Sequence, residues 1–335
     1  MDALLGMKKK IRRASARVVF PEGENDRIIL AASRIVQEEI ARPILLGRAD
    51  TIRKLAAGVG ADLKDISIVD LFAPSKLDQY AKQYSDDRDL PIGAARLILG
   101  KPVYFGAMMV KTGEADAMVG GIATPSEEVV MASELFIGMQ ENISTPSAFF
   151  LMEVPGFKGE EGNLLIFADA ALNPNPTPDQ LADIAISCAR SAKNLLGWEP
   201  RIAFLSFSTK GSATHPDVDK VVEAVQIARE REPDVLIDGE LQADAAIVPE
   251  VARKKTNGAS SVAGRANILI FPDLDAGNIG YKLVQRLTNG AAYGPFLQGF
   301  ARPVSDLSRG ATISDIVGAT ILVVVEAQKY ESIGD

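Results

Sequence analysis

Cysteine and histidine are nearly absent from this chain: each occurs once, at Cys188 and His215, in 335 residues. A lone thiol excludes an internal disulfide and fits a reducing compartment. One His and one Cys cannot make a zinc site of the His/Cys type, and no metal is expected. A Ser-His-Asp triad has only His215 to draw on, and that residue stands beside Pro216 in a loop-like stretch, which reads as surface. Cys188 falls in helical register with Leu181, Ile184 and Ala185, the position of a buried, inert thiol. Long hydrophobic runs are missing as well. The apolar run at 319–325 is far short of the roughly 20 residues that span a bilayer. The basic N-terminal stretch with Lys8, Lys9, Lys10, Arg12 and Arg13 leads into no apolar segment, so it is not a signal peptide. A cytoplasmic location is therefore expected.

Nucleotide motifs are missing too. There is no Gly-x-x-x-x-Gly-Lys-Ser/Thr loop. The nearest approach to Gly-x-Gly-x-x-Gly is Gly58-Val-Gly60, with Leu63 where the third glycine belongs. The net charge is −8 and the pI about 5.0, which opposes non-specific binding to nucleic acid or to anionic lipid. Neither nucleic acid nor membrane is expected as a partner. An enzyme lacking metal, His and Cys nucleophiles can still transfer a group if the substrate brings its own nucleophile. A thiol cosubstrate does so, and the protein then supplies a base and donors for developing charge.

What the sequence does contain is a regular alternation of short apolar runs with amphipathic stretches. Arg17–Phe20 reads as a strand, Asn25 as the cap of a helix carrying Ile28, Ile29, Ala32, Ile35 and Val36, and 43–47 as a second strand. Further strands are expected at 66–69, 117–119, 147–154, 164–168, 201–205, 235–237 and 267–271. This is the pattern of an α/β protein with mostly parallel sheets. The length suggests about two domains at roughly 100–200 residues each. No linker marks the boundary; it is placed near 142–146, with a return near 299–303, giving 1–143 plus 300–335 as one domain and 144–299 as the other. Thr124-Pro-Ser-Glu127, Thr177-Pro-Asp-Gln180 and Thr312-Ile-Ser-Asp315 read as capped helix starts. The stretch 155–162 reads as a hairpin or exposed loop.

Two segments combine hydroxyls, a cation and glycine. Ser308-Arg309-Gly310 runs directly into a helix, a turn that aims backbone N–H groups at an anion, with Arg309 offering a planar fork for phosphate. Asp315 lies one turn further, as either a base or the last member of a capping box. Ser206-Phe-Ser-Thr-Lys-Gly-Ser-Ala213 follows a strand and resembles an anion-binding loop, with Thr209 and Lys210 as its donors. Asp238-Gly-Glu-Leu-Gln-Ala-Asp244 carries three carboxylates and reads as a solvated helix start and loop rather than a metal site.

Gly294-Pro-Phe-Leu-Gln-Gly299, then Arg302-Pro-Val-Ser-Asp-Leu-Ser-Arg-Gly310 and Asp315-Ile-Val317, resemble the C-terminal signature of phosphate acetyltransferases. Phe207–Ala213, Asp238–Gln242, Asp244–Pro249, Phe271–Leu274, Tyr281-Lys282 and Gln285–Leu287 resemble that family as well, so the similarity covers nearly the whole chain. The resemblance implies two α/β/α domains with an interdomain cleft, like the isocitrate/isopropylmalate dehydrogenase fold, in a homodimer. It implies reversible acetyl transfer between coenzyme A and inorganic phosphate, with CoA a substrate and no cofactor; acetyl-CoA, phosphate and acetyl phosphate are the partners. It assigns Asp315 as the base, Arg309 and Ser308 as stabilising donors and Arg286 as a substrate contact; Lys282, one helical turn before Arg286, and Ser126, Thr209 and Lys210 are further candidate substrate or CoA contacts. Two family arginines are absent: Met131 and Ser85 stand in their places, with Arg88 near the second, and Ser305 replaces a common Asn. A butyryl or other short-chain acyltransferase, or a weakly catalytic acyl-CoA-binding regulatory module, remains as an alternative. A dehydrogenase of the related fold would need a dinucleotide motif the sequence lacks.

Overall fold

The computed structural model describes residues 6–11, 15–71 and 73–331. The chain divides into two compact units, one ending at Gly138 and resuming at Phe300, the other running from Met139 to Gly299.

The first unit opens with β1 (Arg17–Phe20), α1 (Asp26–Gln37) and β2 (Arg42–Leu46), the expected βαβ unit. Asn25 caps α1 by accepting from the Arg27 amide, and Ile28, Ile29, Ala32 and Ile35 turn inward without exposure. Burying a side chain of this size contributes about 1.5–3 kcal/mol, so this face fixes how α1 lies on the sheet. There follow α2 (Ala49–Val59), β3 (Ser67–Val69), α3 (Pro74–Arg88), α4 (Ile92–Leu99), α5 (Pro102–Lys111), β4 (Ala117–Gly120) and α6 (Ser126–Ala132), which runs on as a π-helical turn, Ser133–Ile137. The β1, β2, β3 and β4 strands pair in parallel in the order β3-β2-β1-β4.

The second unit begins with a hairpin of β5 (Ser147–Glu153) and β6 (Leu164–Ala168) around the predicted loop. Then come α7 (Pro178–Ser191), β7 (Arg201–Leu205), α8 (Pro216–Arg231), β8 (Leu236–Leu241), α9 (Ala243–Ile247), α10 (Pro249–Thr256), β9 (Ile268–Ile270), α11 (Leu274–Thr288) and β10 (Ala291–Gln298). Strand order is β10-β5-β6-β9-β7-β8, antiparallel across β10-β5-β6 and parallel beyond. Phe150, Met152, Leu165, Phe167, Leu205 and Leu269 form its core on one face of this sheet. The capping box at Thr177 and Gln180 is present as read.

Back in the first unit, β11 (Val304–Asp306) adds in parallel beside β4, and α12 (Ile313–Glu331) packs on β4 and α1. Neither β10 nor β11 was anticipated. Val304–Asp306 has two polar residues in three, and β10 contains Gly294-Pro295 and a register shift between Tyr293 and Phe296, so neither shows an apolar run or an alternation. The Thr124 reading is corrected: α6 starts at Ser126, Pro125 holds its cap position, and no side chain caps it.

Candidate active site

In the first unit β1, β4 and β11 lie side by side and parallel. Their carboxyl ends therefore release three loops at one sheet edge, where ligands bind in open α/β sheets. Each loop is held by a named side chain. Glu22, just after β1, receives four consecutive amides of the loop after β4: Gly121 and Ile122 at 3.0 Å on one oxygen, Ala123 and Thr124 at 2.7 Å on the other. A carboxylate held by four N–H donors is a charge-assisted nest, and it fixes the approach to α6. Arg27 in α1 donates to the carbonyls of Arg309 (3.0 Å) and Ala311 (2.7 Å), clamping the turn after β11. Neither Glu22 nor Arg27 was singled out from sequence; Pro21–Glu24 reads only as a strand breaker.

The turn itself presents Ser308, Arg309 and Gly310 to solvent. Its shape is local: the Gly310 amide donates to the Ser308 hydroxyl and the Ala311 amide to the Ser308 carbonyl. Arg309 is held through its carbonyl, so its guanidinium has no partner among the described residues of its unit. A fixed backbone with an open, planar cationic head is suited to an incoming oxyanion.

Asp315 takes the capping role the sequence allowed. The Thr312 amide and hydroxyl each donate to its Oδ2 at 2.8 Å, and its own amide donates to the Thr312 hydroxyl at 3.2 Å. That is a capping box at the start of α12. Only Oδ2 is used, and the residue is exposed, so Oδ1 stays open. Capping therefore occupies one oxygen of the carboxylate and leaves the other available.

Ser126 opens α6 and donates its hydroxyl to Asp306 Oδ2. Asp306 is 6% exposed, its Oδ1 has no hydrogen-bond partner, and burial pushes its carboxyl up to about 6. Met131 is 57% exposed and takes the Tyr104 hydroxyl on its sulfur. Ser85 donates to the Leu90 carbonyl, and Arg88 reaches the Leu135 carbonyl at 3.5 Å. Ser85 stays within its local backbone, while Arg88 reaches a carbonyl 47 positions along the chain.

In the second unit the loop after β7 behaves differently. Its anion is already inside the protein. Glu240, 3% exposed on β8, accepts the Gly211 amide (2.7 Å) and the Ser208 hydroxyl (2.8 Å). Lys210 donates to Asp238 Oδ1 (2.5 Å) and to the Gly239 carbonyl. Asp238 also takes Arg229 and Ser260. Burial pushes its carboxyl up, but the hydrogen bonds from Lys210 and Ser260 and the lysine's charge together outweigh it and hold the carboxyl below the usual range. Thr209 is buried and exchanges hydrogen bonds with Gln242. The reading of 238–240 as a solvated helix start is thus overturned: Asp238 and Glu240 are buried strand residues. Thr209 and Lys210 spend their donors on their own unit.

Lys282 and Arg286 sit one turn apart on α11, both exposed, beside the exposed apolar row Ile279, Leu283 and Leu287. The helix is seated by Gly277, where a Cβ would lie 2.2 Å from the Asp169 carbonyl, and by Asn278 donating to the Ala170 carbonyl. Cys188 is fully buried, its thiol pushed up to about 12 by desolvation, and His215 is an exposed cap of α8. Among the described residues no group of three or more His, Cys, Asp or Glu is placed to hold a metal ion.

Residues 4–324 match the family described as phosphate acetyl/butaryl transferase. The chain belongs to that family. A phosphate acetyltransferase of Thermoanaerobacterium thermosaccharolyticum is 45% identical over 98% of this chain and 100% of its own length. Another, from Clostridium acetobutylicum, is 42% identical over 98% and 99%. Among solved structures, a phosphotransacetylase from Streptococcus pyogenes superposes with a TM-score of 0.92 at 40% identity, covering 98% of each chain. A 4-hydroxythreonine-4-phosphate dehydrogenase from Burkholderia phymatum, 14% identical over 93% of this chain and 96% of its own with a TM-score of 0.53, shares the fold alone. The transferase family and the dehydrogenase-like α/β fold expected from the motifs are both found.

Proposed function

We propose that this enzyme transfers an acetyl group reversibly between coenzyme A and inorganic phosphate. The observation that carries the proposal is the Ser308–Arg309 turn: clamped by its backbone, open at its guanidinium, and placed at the start of α12 beside a carboxylate with one free oxygen. In the direction of acetyl-CoA formation, Asp315 takes the thiol proton of CoA. The sulfur attacks the carbonyl carbon of acetyl phosphate, a C–S bond forms, the C–O bond to phosphorus breaks and phosphate leaves. Arg309 and Ser308 donate to the oxygen on which charge develops, the interaction that lowers such barriers most. In reverse, a phosphate oxygen attacks the thioester and Asp315 returns its proton to the departing thiolate.

Lys282 and Arg286 are the candidate contacts for the anionic part of CoA, and Ser126, whose proton is given to Asp306, offers an acceptor. Thr209 and Lys210 serve their own loop, which replaces their sequence-based role as direct contacts. CoA is a substrate, no cofactor is used, and the enzyme works as a cytoplasmic homodimer. The location is compatible with the finding that no helix among the described residues is long and apolar enough to cross a membrane. Light scattering of the purified protein tests the assembly.

Thiol release from acetyl-CoA, dependent on phosphate and persisting after exhaustive chelation, is the test. Acetyl-CoA should outperform butyryl-CoA by at least about tenfold, the scale on which one or two methylenes are sorted by a pocket. Preference for butyryl-CoA would move the substrate assignment. CoA binding with no turnover of either would support the regulatory module, and activity lost to a chelator and restored by one divalent ion would overturn the metal-free mechanism.

A further inference from the structure

Asp306 is a carboxyl group in a costly place. It is buried at 6% exposure and paired with no cation among the described residues of its unit; one oxygen takes the Ser126 hydroxyl and the other takes nothing. A buried ionisable group without a counter-charge is normally selected against, because desolvation is not repaid. A second residue is committed to admitting it. Gly121 has a φ of +105°, and a Cβ there would lie 2.0 Å from Asp306 Oδ1 and 2.8 Å from the Leu307 amide. No other residue type fits that position without moving the carboxyl.

The backbone around Asp306 is tied to the same segment. The Leu307 amide donates to the Gly120 carbonyl at 2.7 Å, and β11 runs beside β4 with Asp306 opposite Gly120. The loop from Gly121 to Thr124 is in turn locked by Glu22. Two residues after Asp306 comes Ser308, and the far side of that turn is held by Arg27. The turn is thus anchored at both ends, and the near anchor is the contact between Asp306 and Ser126.

We propose that Asp306 is a positioning residue for the transfer reaction: through Ser126 it fixes the Ser308–Arg309 turn against the start of α6. This rests on the functional reading above. Its carboxyl is neutral below about pH 6, with Ser126 on one side and Glu22 the charged group that faces it from the segment after β1. Burial and the Glu22 charge both favour that form. A folded-state value above the unfolded one means that the contribution is present in acid and is lost as pH rises through about 6.

The experiment measures turnover of acetyl-CoA plus phosphate and thermal stability for four variants of the full chain, with the unaltered enzyme establishing the activity first. Asp306→Asn keeps the shape and an acceptor for Ser126. It should retain turnover, and it should gain in melting temperature relative to the parent at pH 8, with the gain shrinking through pH 5 and absent only in acid below the unfolded carboxyl's own value. Asp306→Ala should lower kcat by at least about tenfold with little change in KM, since small misplacements of reacting groups cost one to two orders of magnitude; Ser126→Ala should lower kcat by as much, any rise in its KM reporting its own substrate contact. The double variant should be no worse than Asp306→Ala. Losses that multiply in the double variant would show that the two residues are not linked. Asp306→Ala with parental kcat, or Asp306→Asn as inactive as Ala at every pH, would overturn the proposal. If Asp306→Ala fails to fold, Asp306→Asn and Ser126→Ala decide alone.

Discussion

The turn Ser308–Gly310 and the loop Phe207–Ala213 are built from the same ingredients: hydroxyls, one cation, a glycine and a preceding strand. In the first unit the cation is left open and the backbone is clamped by Arg27. In the second the cation lies on Asp238 and the amides on Glu240, both buried. A loop of this composition reports that it holds an anion. Whether the anion is a ligand or a side chain of the same protein depends on residues far away in sequence, here 238 and 240.

The largest effect that separates the two regions is on turnover. Arg309→Ala should reduce kcat by roughly 10²–10³, the loss of a preorganised donor worth about 2.7–4 kcal/mol. Arg309→Lys should recover little, since an ammonium cannot reproduce a planar two-pronged contact. Steady-state kinetics with folded variants decides, and near-parental turnover in Arg309→Lys would leave only point charge at that position. Next in size is a loss of stability without loss of chemistry. Glu240→Ala strands the Gly211 amide and the Ser208 hydroxyl, and unsatisfied buried groups cost about 1–3 kcal/mol. Denaturant unfolding should show that loss, with kcat per folded molecule retained. The smallest effect belongs to Lys210→Met, about 1 kcal/mol or less, because Asp238 keeps Arg229 and Ser260 and the lysine is partly exposed. A collapse of turnover in Lys210→Met would return that loop to the active site.

The two regions should also part with pH. Asp238 is held below the usual carboxylate range, so its contribution is present at neutral pH and fades as the solution is acidified through that lowered value. Asp306 is raised to about 6, so its contribution runs the other way and fades toward alkaline pH.

Much of the fold was legible because it rests on local signals. Ile28, Ile29, Ala32 and Ile35 fall on one helical face, 164–168 and 202–205 are uninterrupted apolar runs, and the Thr177–Gln180 box announces its helix. The strands β10 and β11 were not legible, since a Pro and a bulge break one and polar residues fill the other. In the candidate site, Ser308, Arg309 and Asp315 are legible through adjacent residues and motif likeness. Glu22, Arg27 and Asp306 were missed for a physical reason: each acts on backbone or hydroxyl groups about 100 to 280 positions away, and no spacing rule reaches that far. Asp306 did leave one trace, an acid between a buried serine and a buried leucine.

Asp315 carries the central claim, that one carboxylate caps α12 with one oxygen and receives the CoA proton on the other. The decisive measurement is kcat and melting temperature of Asp315→Asn beside Asp315→Ala. Asn should keep part of the cap, worth about 0.5–2 kcal/mol, and melt close to the parent, while turnover falls at least ~100-fold, the scale of general-base removal. An Asp315→Asn enzyme that keeps its turnover, with only Asp315→Ala losing thermal stability, would contradict the account and leave Asp315 a helix cap alone.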